Sequence, residues 1–224
     1  MEIRQSELRV RVGDVELAGE LGIPFGASGV VLFAHGSGSS RFSPRNQFVA
    51  RILRSRGLGT LLFDLLTPEE EAIDAVTAEL RFDIRLLAER VVGTIDWLKG
   101  EKATVDLPLG LFGSSTGAAA ALVAAAARPH DVEAVVSRGG RPDLAGDALS
   151  LVIAPTLLIV GGNDDVVIEL NLDALRRLRG DKSMEIIPGA SHLFAEGDTL
   201  EEAARLAADW FSSRLPSPLQ PAEA

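Results

Sequence analysis

The sequence predicts an α/β fold with a mostly parallel central sheet, an antiparallel N-terminal edge and helices on both faces. Two observations carry that expectation. Residues 8–12 and 15–21 alternate apolar and polar side chains around Gly13-Asp14, a strong hairpin signal. After them, short continuous apolar runs recur with helix-period stretches in between. Runs of that kind suit strands buried on both faces, and regular strand–helix alternation builds a parallel sheet covered on both sides. With 224 residues, 46% hydrophobic and 24% charged, the chain suffices for one sizeable domain and is short for two. A single domain is expected over residues 1–214.

The elements follow in order. Residues 30–34, VVLFA, read as a buried strand running straight into the small-residue loop HGSGSS, with Arg41 just beyond. Pro44 opens an amphipathic helix to about Arg56, with Phe48, Val49, Ile52 and Leu53 on one face. Gly57 stops it, and residues 58–63 form the next strand, ending at Asp64. Thr67-Pro68-Glu69-Glu70-Glu71 is a capped helix start, and helical periodicity runs on with interruptions to Lys99. Residues 109–112 are a strand, and an alanine-rich helix then reaches Arg128-Pro129-His130. Strands are expected at 132–137, 156–160 and 184–187, and helices at 170–178 and 199–214. The Pro-rich end, from 215 to 224, is predicted to be disordered.

Composition excludes several chemistries. There is no cysteine, so disulfides, a thiolate nucleophile and thiolate metal sites are all ruled out. A net charge of −10 argues against a nucleic-acid partner. The N-terminal MEIRQSELRV lacks the apolar core of a signal peptide, and no apolar run is long enough to span a bilayer. No membrane partner and a cytoplasmic location are the expectation.

Between the strand at 109–112 and the alanine helix stands Gly113-Ser114-Ser115-Thr116-Gly117, the form G-x-S-x-G. In a strand–turn–helix context this is the pattern of a nucleophile elbow, in which a strained turn holds a serine at a helix N-terminus. Ser115 is the candidate nucleophile. The pentapeptide is also ordinary turn composition, in which Ser114 or Ser115 simply caps the helix. A serine hydroxyl needs a base, and the base needs a group to fix its tautomer. Of three histidines, His130 follows a helix end and suits the surface. His35 closes a buried strand, where a structural hydrogen bond or a place in the substrate site suits it better than base catalysis. His192, after the last strand, is the candidate base. Asp164 is preferred to Asp165 as the orienting acid, although either could cap the helix that follows. The chain order Ser, Asp, His supports the set. An oxyanion site would use the backbone N–H of Thr116 and that of Ser37 in the glycine-rich loop.

These pieces together, HGSGSS, GSSTGA, GGNDD after PTLLIV and PGASHLF, resemble the α/β-hydrolases of the dienelactone-hydrolase-like group over about Leu8 to Arg214. The resemblance implies a Ser–Asp–His triad, an acyl-enzyme intermediate and no cofactor or metal. Relatives of this type occur alone or joined to a phosphoribosyltransferase-like domain; in these 224 residues, without its phosphate-binding sequence, that domain is not expected. The best-known dienelactone hydrolases use cysteine as nucleophile, so its absence here moves the expected chemistry toward general esters. Residues 138–154, where many α/β-hydrolases insert a lid, are few, which predicts an open cleft and modest substrates. Arg41 and Arg138 stand at the catalytic end. They either attract a substrate carboxylate or phosphate or pair with acids such as Asp143, the pairing being favoured. Phe42 and Phe194 suit an acyl pocket or plain core equally. The leading expectation is a carboxylic ester hydrolase acting on a small-molecule ester. Acyl transfer, carbon–carbon or lactone hydrolysis with the same triad, and a non-catalytic binding module, are the alternatives.

Overall fold

The hairpin forms where the alternation predicts it and extends further. β1 (Ile3–Val12) pairs antiparallel with β2 (Val15–Pro24) along its whole length, from Val12 opposite Val15 to Ile3 opposite Pro24. The computed structural model describes residues 2–215, so the tail beyond 215 lies outside the described residues. Leu215 itself does not belong to a tail. It is fully buried, packing beside Gly29 and Gly110 at the base of the sheet, because apolar burial there outweighs the prolines that follow.

The remaining strands are β3 (Gly29–Ala34), β4 (Leu58–Phe63), β5 (Leu109–Ser114), β6 (Val132–Arg138), β7 (Thr156–Gly161) and β8 (Lys182–Ile187). One eight-stranded sheet has the order β1-β2-β4-β3-β5-β6-β7-β8, with β2 antiparallel to β4 and every later neighbour parallel. The chain passes from β3 to β4 on one side, then crosses back to β5 on the other. Strand order therefore reverses at β3, and the crevice beyond the carboxyl ends of β3 and β5 is where ligands of open α/β sheets bind.

The two-residue period of the strands divides the core. Leu32, Leu61, Leu111, Val135 and Leu158 point to one face, and Phe33, Leu62, Phe112, Val136 and Ile159 to the other. The first face is covered by α3 (Ile84–Gly100), α4 (Thr116–Ala127) and α5 (Asp165–Arg177). The second is covered by α1 (Pro44–Ser55) and α6 (Thr199–Arg214). The α4 helix is buried almost all round between α3 and the 3-10 segment Pro142–Leu151, and its alanines let those neighbours approach closely.

Two helix boundaries differ from the expectation. The helical stretch from Thr67 divides into α2 (Pro68–Thr77), a 3-10 turn over Leu80–Phe82 and α3. The break is at Ala78, which takes φ 56, a left-handed conformation that no glycine announced. The α5 helix begins at Asp165, five residues before the periodic apolar pattern does, because its first turn is solvated and Val166 is exposed. The irregular 138–154 stretch contains 3-10 turns kinked at Gly146 and no lid-like insertion. No helix among the described residues is long and apolar enough to cross a membrane.

Candidate active site

Ser115 occupies the turn between β5 and α4 with φ 50 and ψ −123. That conformation costs a non-glycine residue roughly 1–3 kcal/mol, and the surroundings must impose it. They do so by close packing on both sides. A Cβ at Gly113 would stand 2.4 Å from the Cα of Ala118, and one at Gly117 would stand 2.3 Å from the carbonyl oxygen of Ala34. The G-x-S-x-G spacing thus lets strand, helix and the end of β3 meet where larger residues would push them apart. The Ser115 carbonyl accepts from Arg141 N–H at 3.0 Å, which ties the turn to the loop after β6. Ser115 is formally the N-cap of α4, yet its side chain makes no capping hydrogen bond. Its hydroxyl is left to face the cleft.

The Asp164 and His192 loops are laced together by main-chain bonds. Gly162 N–H donates to Ile187 O at 2.8 Å, and Asn163 N–H to Ala190 O at 2.9 Å. Asp164 stands at the N-cap of α5 without capping it. Its Oδ2 lies 2.7 Å from His192 Nδ1. An ionised carboxylate only accepts, so Nδ1 carries a proton, which in a neutral imidazole leaves the lone pair on Nε2. Among the described residues Nε2 has no protein partner. Phe194, with φ 54, is buried in the core behind the loop and anchors it, so it belongs to the packing and lines no acyl pocket.

Ser115 and His192 both line one cavity of about 210 Å³, together with Ser37 and Arg138. No hydrogen bond joins the Ser115 hydroxyl to His192 among the described residues; catalytic contacts in ligand-free sites are often long and close on substrate binding. Beside them, Ser37 Oγ and Thr116 Oγ1 are 3.0 Å apart, which brings the loop after β3 against the first turn of α4. Neither Ser37 N–H nor Thr116 N–H has a protein acceptor among the described residues. The larger cavity, about 600 Å³, starts at these two residues and is walled by Leu65, Leu66 and Leu87.

The remaining candidates separate. His35 is spent on the scaffold. Its Nδ1–H donates to Gly36 O at 3.0 Å, and its Nε2 accepts from Leu65 N–H at 3.0 Å. Burial pushes its pKa below 6.5, against the Gly36 hydrogen bond and the Asp64 charge. With both nitrogens occupied the ring has no polar atom left for a substrate, although it lines the larger cavity. Arg41 is also consumed. Its backbone N–H and guanidinium both engage Asp64, the residue after β4, and Phe42 stacks beneath it while remaining exposed. Asp143, the acid offered from sequence as a partner, pairs instead with Arg141 at 2.8 Å. Arg138 has no acid at all among the described residues. Burial, with repulsion from Arg45, pushes its pKa down to about 10, still charged at neutral pH. His130 is exposed at a turn. No group of three or more His, Asp or Glu side chains among the described residues is arranged to hold a metal ion.

A dienelactone hydrolase from Anabaena variabilis is 58% identical, with a TM-score of 0.94 over 96% of this chain and 99% of that one. The chain belongs to the dienelactone-hydrolase family. That is a family of α/β-hydrolase fold. A lidless α/β serine hydrolase from Xanthomonas campestris shares the fold, at 21% identity and a TM-score of 0.75 over 97% of each chain. Two curated Mycobacterium tuberculosis proteins, provisionally named as phosphoribosyl transferases, are 55% identical over 216 residues. That span is 96% of this chain and 48% of theirs, so the chain spans about half the length of the curated relatives it matches. No family profile matches the chain.

Proposed function

We propose that this dienelactone-hydrolase relative is a serine hydrolase of carboxylic esters. The observation that carries the proposal is the strained, uncapped Ser115 sharing a cavity with a histidine whose far nitrogen is held by Asp164 at 2.7 Å. Ser115 Oγ attacks the ester carbonyl while His192 Nε2 takes its proton. The bond formed is Oγ to acyl carbon; the bond broken is acyl carbon to leaving oxygen, which takes the proton back from His192. Water, deprotonated by His192, then releases the acid and restores Ser115. Asp164 holds the tautomer and stabilises the imidazolium. The N–H groups of Ser37 and Thr116 receive the negative oxygen of the tetrahedral intermediates, and each such donor contributes about 3–4 kcal/mol to barrier lowering in enzymes of this kind.

The half-exposed His192 and the absence of a lid-like insertion favour small to medium soluble esters over long buried chains. A fluorophosphonate reagent tests the reading. The intact mass should rise by one adduct in the wild type and stay constant in Ser115→Ala; an unmodified wild type would overturn it.

A further inference from the structure

Arg138, at the carboxyl end of β6, is 7% exposed. Nη2 donates to Asn46 Oδ1 at 3.4 Å, while Nε and Nη1 have no partner. The Phe112 and Phe194 rings lie 5.9 and 5.8 Å from the guanidinium carbon, close enough for cation–π attraction but unable to accept those N–H bonds. Arg45, in the first turn of α1, lines the same cavity and has no carboxylate within 4.0 Å among the described residues. Acids are not scarce in this chain, which has 32 against 22 lysines and arginines. Arg41, Arg81, Arg90 and Arg141 each find one. The wall of the 210 Å³ cavity contains no aspartate or glutamate. A buried cation with no acid beside it is costly unless an anion in the cavity offsets its charge.

The cavity also has a direction. His192 must deliver its proton to the leaving oxygen, and it lines this cavity and not the larger one. The larger cavity begins at the two oxyanion-side residues and is walled by leucines; of its charged residues Asp74 and Arg81 pair with each other at 2.6 Å, which leaves Glu71 to repel an anion. It suits a neutral acyl chain. We infer that the Arg138–Arg45 cavity receives the alcohol half of the ester, and that this alcohol carries a carboxylate or a phosphate. The inference rests on the hydrolase reading above and adds which half of the substrate is charged.

Two matched ester pairs test it. In β-acetoxypropionate and its primary amide the charge is on the leaving alcohol; in ethyl hydrogen succinate and ethyl succinamate it is on the acyl group. Wild type should prefer β-acetoxypropionate to its amide in kcat/KM. That ratio should fall at least tenfold in Arg138→Gln and several-fold in Arg45→Gln, while the succinate ratio keeps its value. Acetoxyethyl phosphate in the same series shows which anion is favoured. An unmoved propionate ratio in both variants, or a fall confined to the succinate pair, overturns the inference. Should Arg138→Gln fail to fold, the half-buried Arg45→Gln and the charge-keeping Arg138→Lys decide, the latter retaining more of the ratio than Arg45→Gln loses. Failure of the hydrolase reading looks different, since wild type would then turn over none of the four esters. Calorimetry of Ser115→Ala with β-hydroxypropionate and inorganic phosphate decides that case. Binding that disappears when Arg138→Gln or Arg45→Gln is added supports the anion site, and no binding of either probe overturns it.

Discussion

His35 follows β3 and His192 follows β8, so both rings stand on the carboxyl rim of one sheet, yet the first is 8% exposed and the second has a side chain 38% exposed. His35 gives both nitrogens to the backbone, one to its own neighbour and one to the strand end beside it. His192 gives one nitrogen to a carboxylate and leaves the other toward a cavity that also holds the candidate nucleophile. The same imidazole is therefore a rivet in one place and, in the function proposed above, a base in the other. What separates them is whether the second nitrogen has been satisfied. The largest test of that distinction removes the reacting groups. Ser115→Ala and His192→Ala should each lower kcat by about 10⁶-fold, with the double variant little worse, since triad members act as a unit. An ester assay at saturating substrate reads this, and an active Ser115→Ala would break the comparison at once.

Next in size is Asp164, the partner of the candidate base. Asp164→Asn keeps the shape but can donate an amide N–H to Nδ1, driving the proton to Nε2 and removing the lone pair that serves as base. A fall in kcat of about 10⁴-fold is expected, with little change in melting temperature. A loss of stability as large as the loss of rate would instead mean that Asp164 serves mainly to stitch its loop to the one after β8.

How far each of these roles was legible in the sequence follows from how local its cause is. The elbow was legible because its cause lies within five residues: two glycines, a serine and a switch from strand to helix, and the strained φ of Ser115 realises it. The Asp164–His192 contact spans 28 residues but follows the chain order of the motif. The arginines were legible only in part, since pairing is decided by which strand ends become neighbours. Arg41 finds Asp64 because β4 ends beside the loop after β3, while the tempting Asp143 is taken by Arg141 two residues away. That Arg138 is left with no acid is a property of the cavity as a whole, and no run of residues encodes it. The Ala78 break between α2 and α3 was hidden for a related reason. A left-handed alanine is held there by the Ala78 N–H bond to Asp74 O and by the grip of Asp74 on Arg81, and neither has a local sequence signal.

A smaller effect is expected from the riveting histidine. His35→Ala removes the acceptor of Leu65 N–H, a backbone donor in a fully buried residue, and should cost about 1–3 kcal/mol of unfolding free energy. Chemical denaturation reads the loss. The rate at a temperature where the variant is folded should change far less than in His192→Ala, and equal kinetic damage would erase the difference between the two rings.

The smallest effect separates the rings by pH. Above 6.5, the ordinary histidine value, His35 is neutral whether folded or unfolded and contributes no pH dependence. Below it the unfolded chain takes a proton that the buried ring resists, so stability falls as pH falls, until the depressed folded value is passed and both states carry the proton. One such group changes stability by at most about 1.4 kcal/mol per pH unit, or about 3–6 °C in melting temperature for a domain of this size. His35→Gln isolates this contribution, because its amide oxygen can accept from Leu65 N–H without titrating. The wild type should lose melting temperature more steeply than His35→Gln as pH falls below about 6.5. Asp74 does not intrude on that window. Burial works against its ionisation, but hydrogen bonds from Arg81 hold its carboxyl below 3.8, so its contribution is lost only at still lower pH. Parallel melting curves for the two proteins would mean that the His35 ring gains its proton in the folded state as readily as in the unfolded one. The rivet would then be no more committed to its neutral form than a histidine in water.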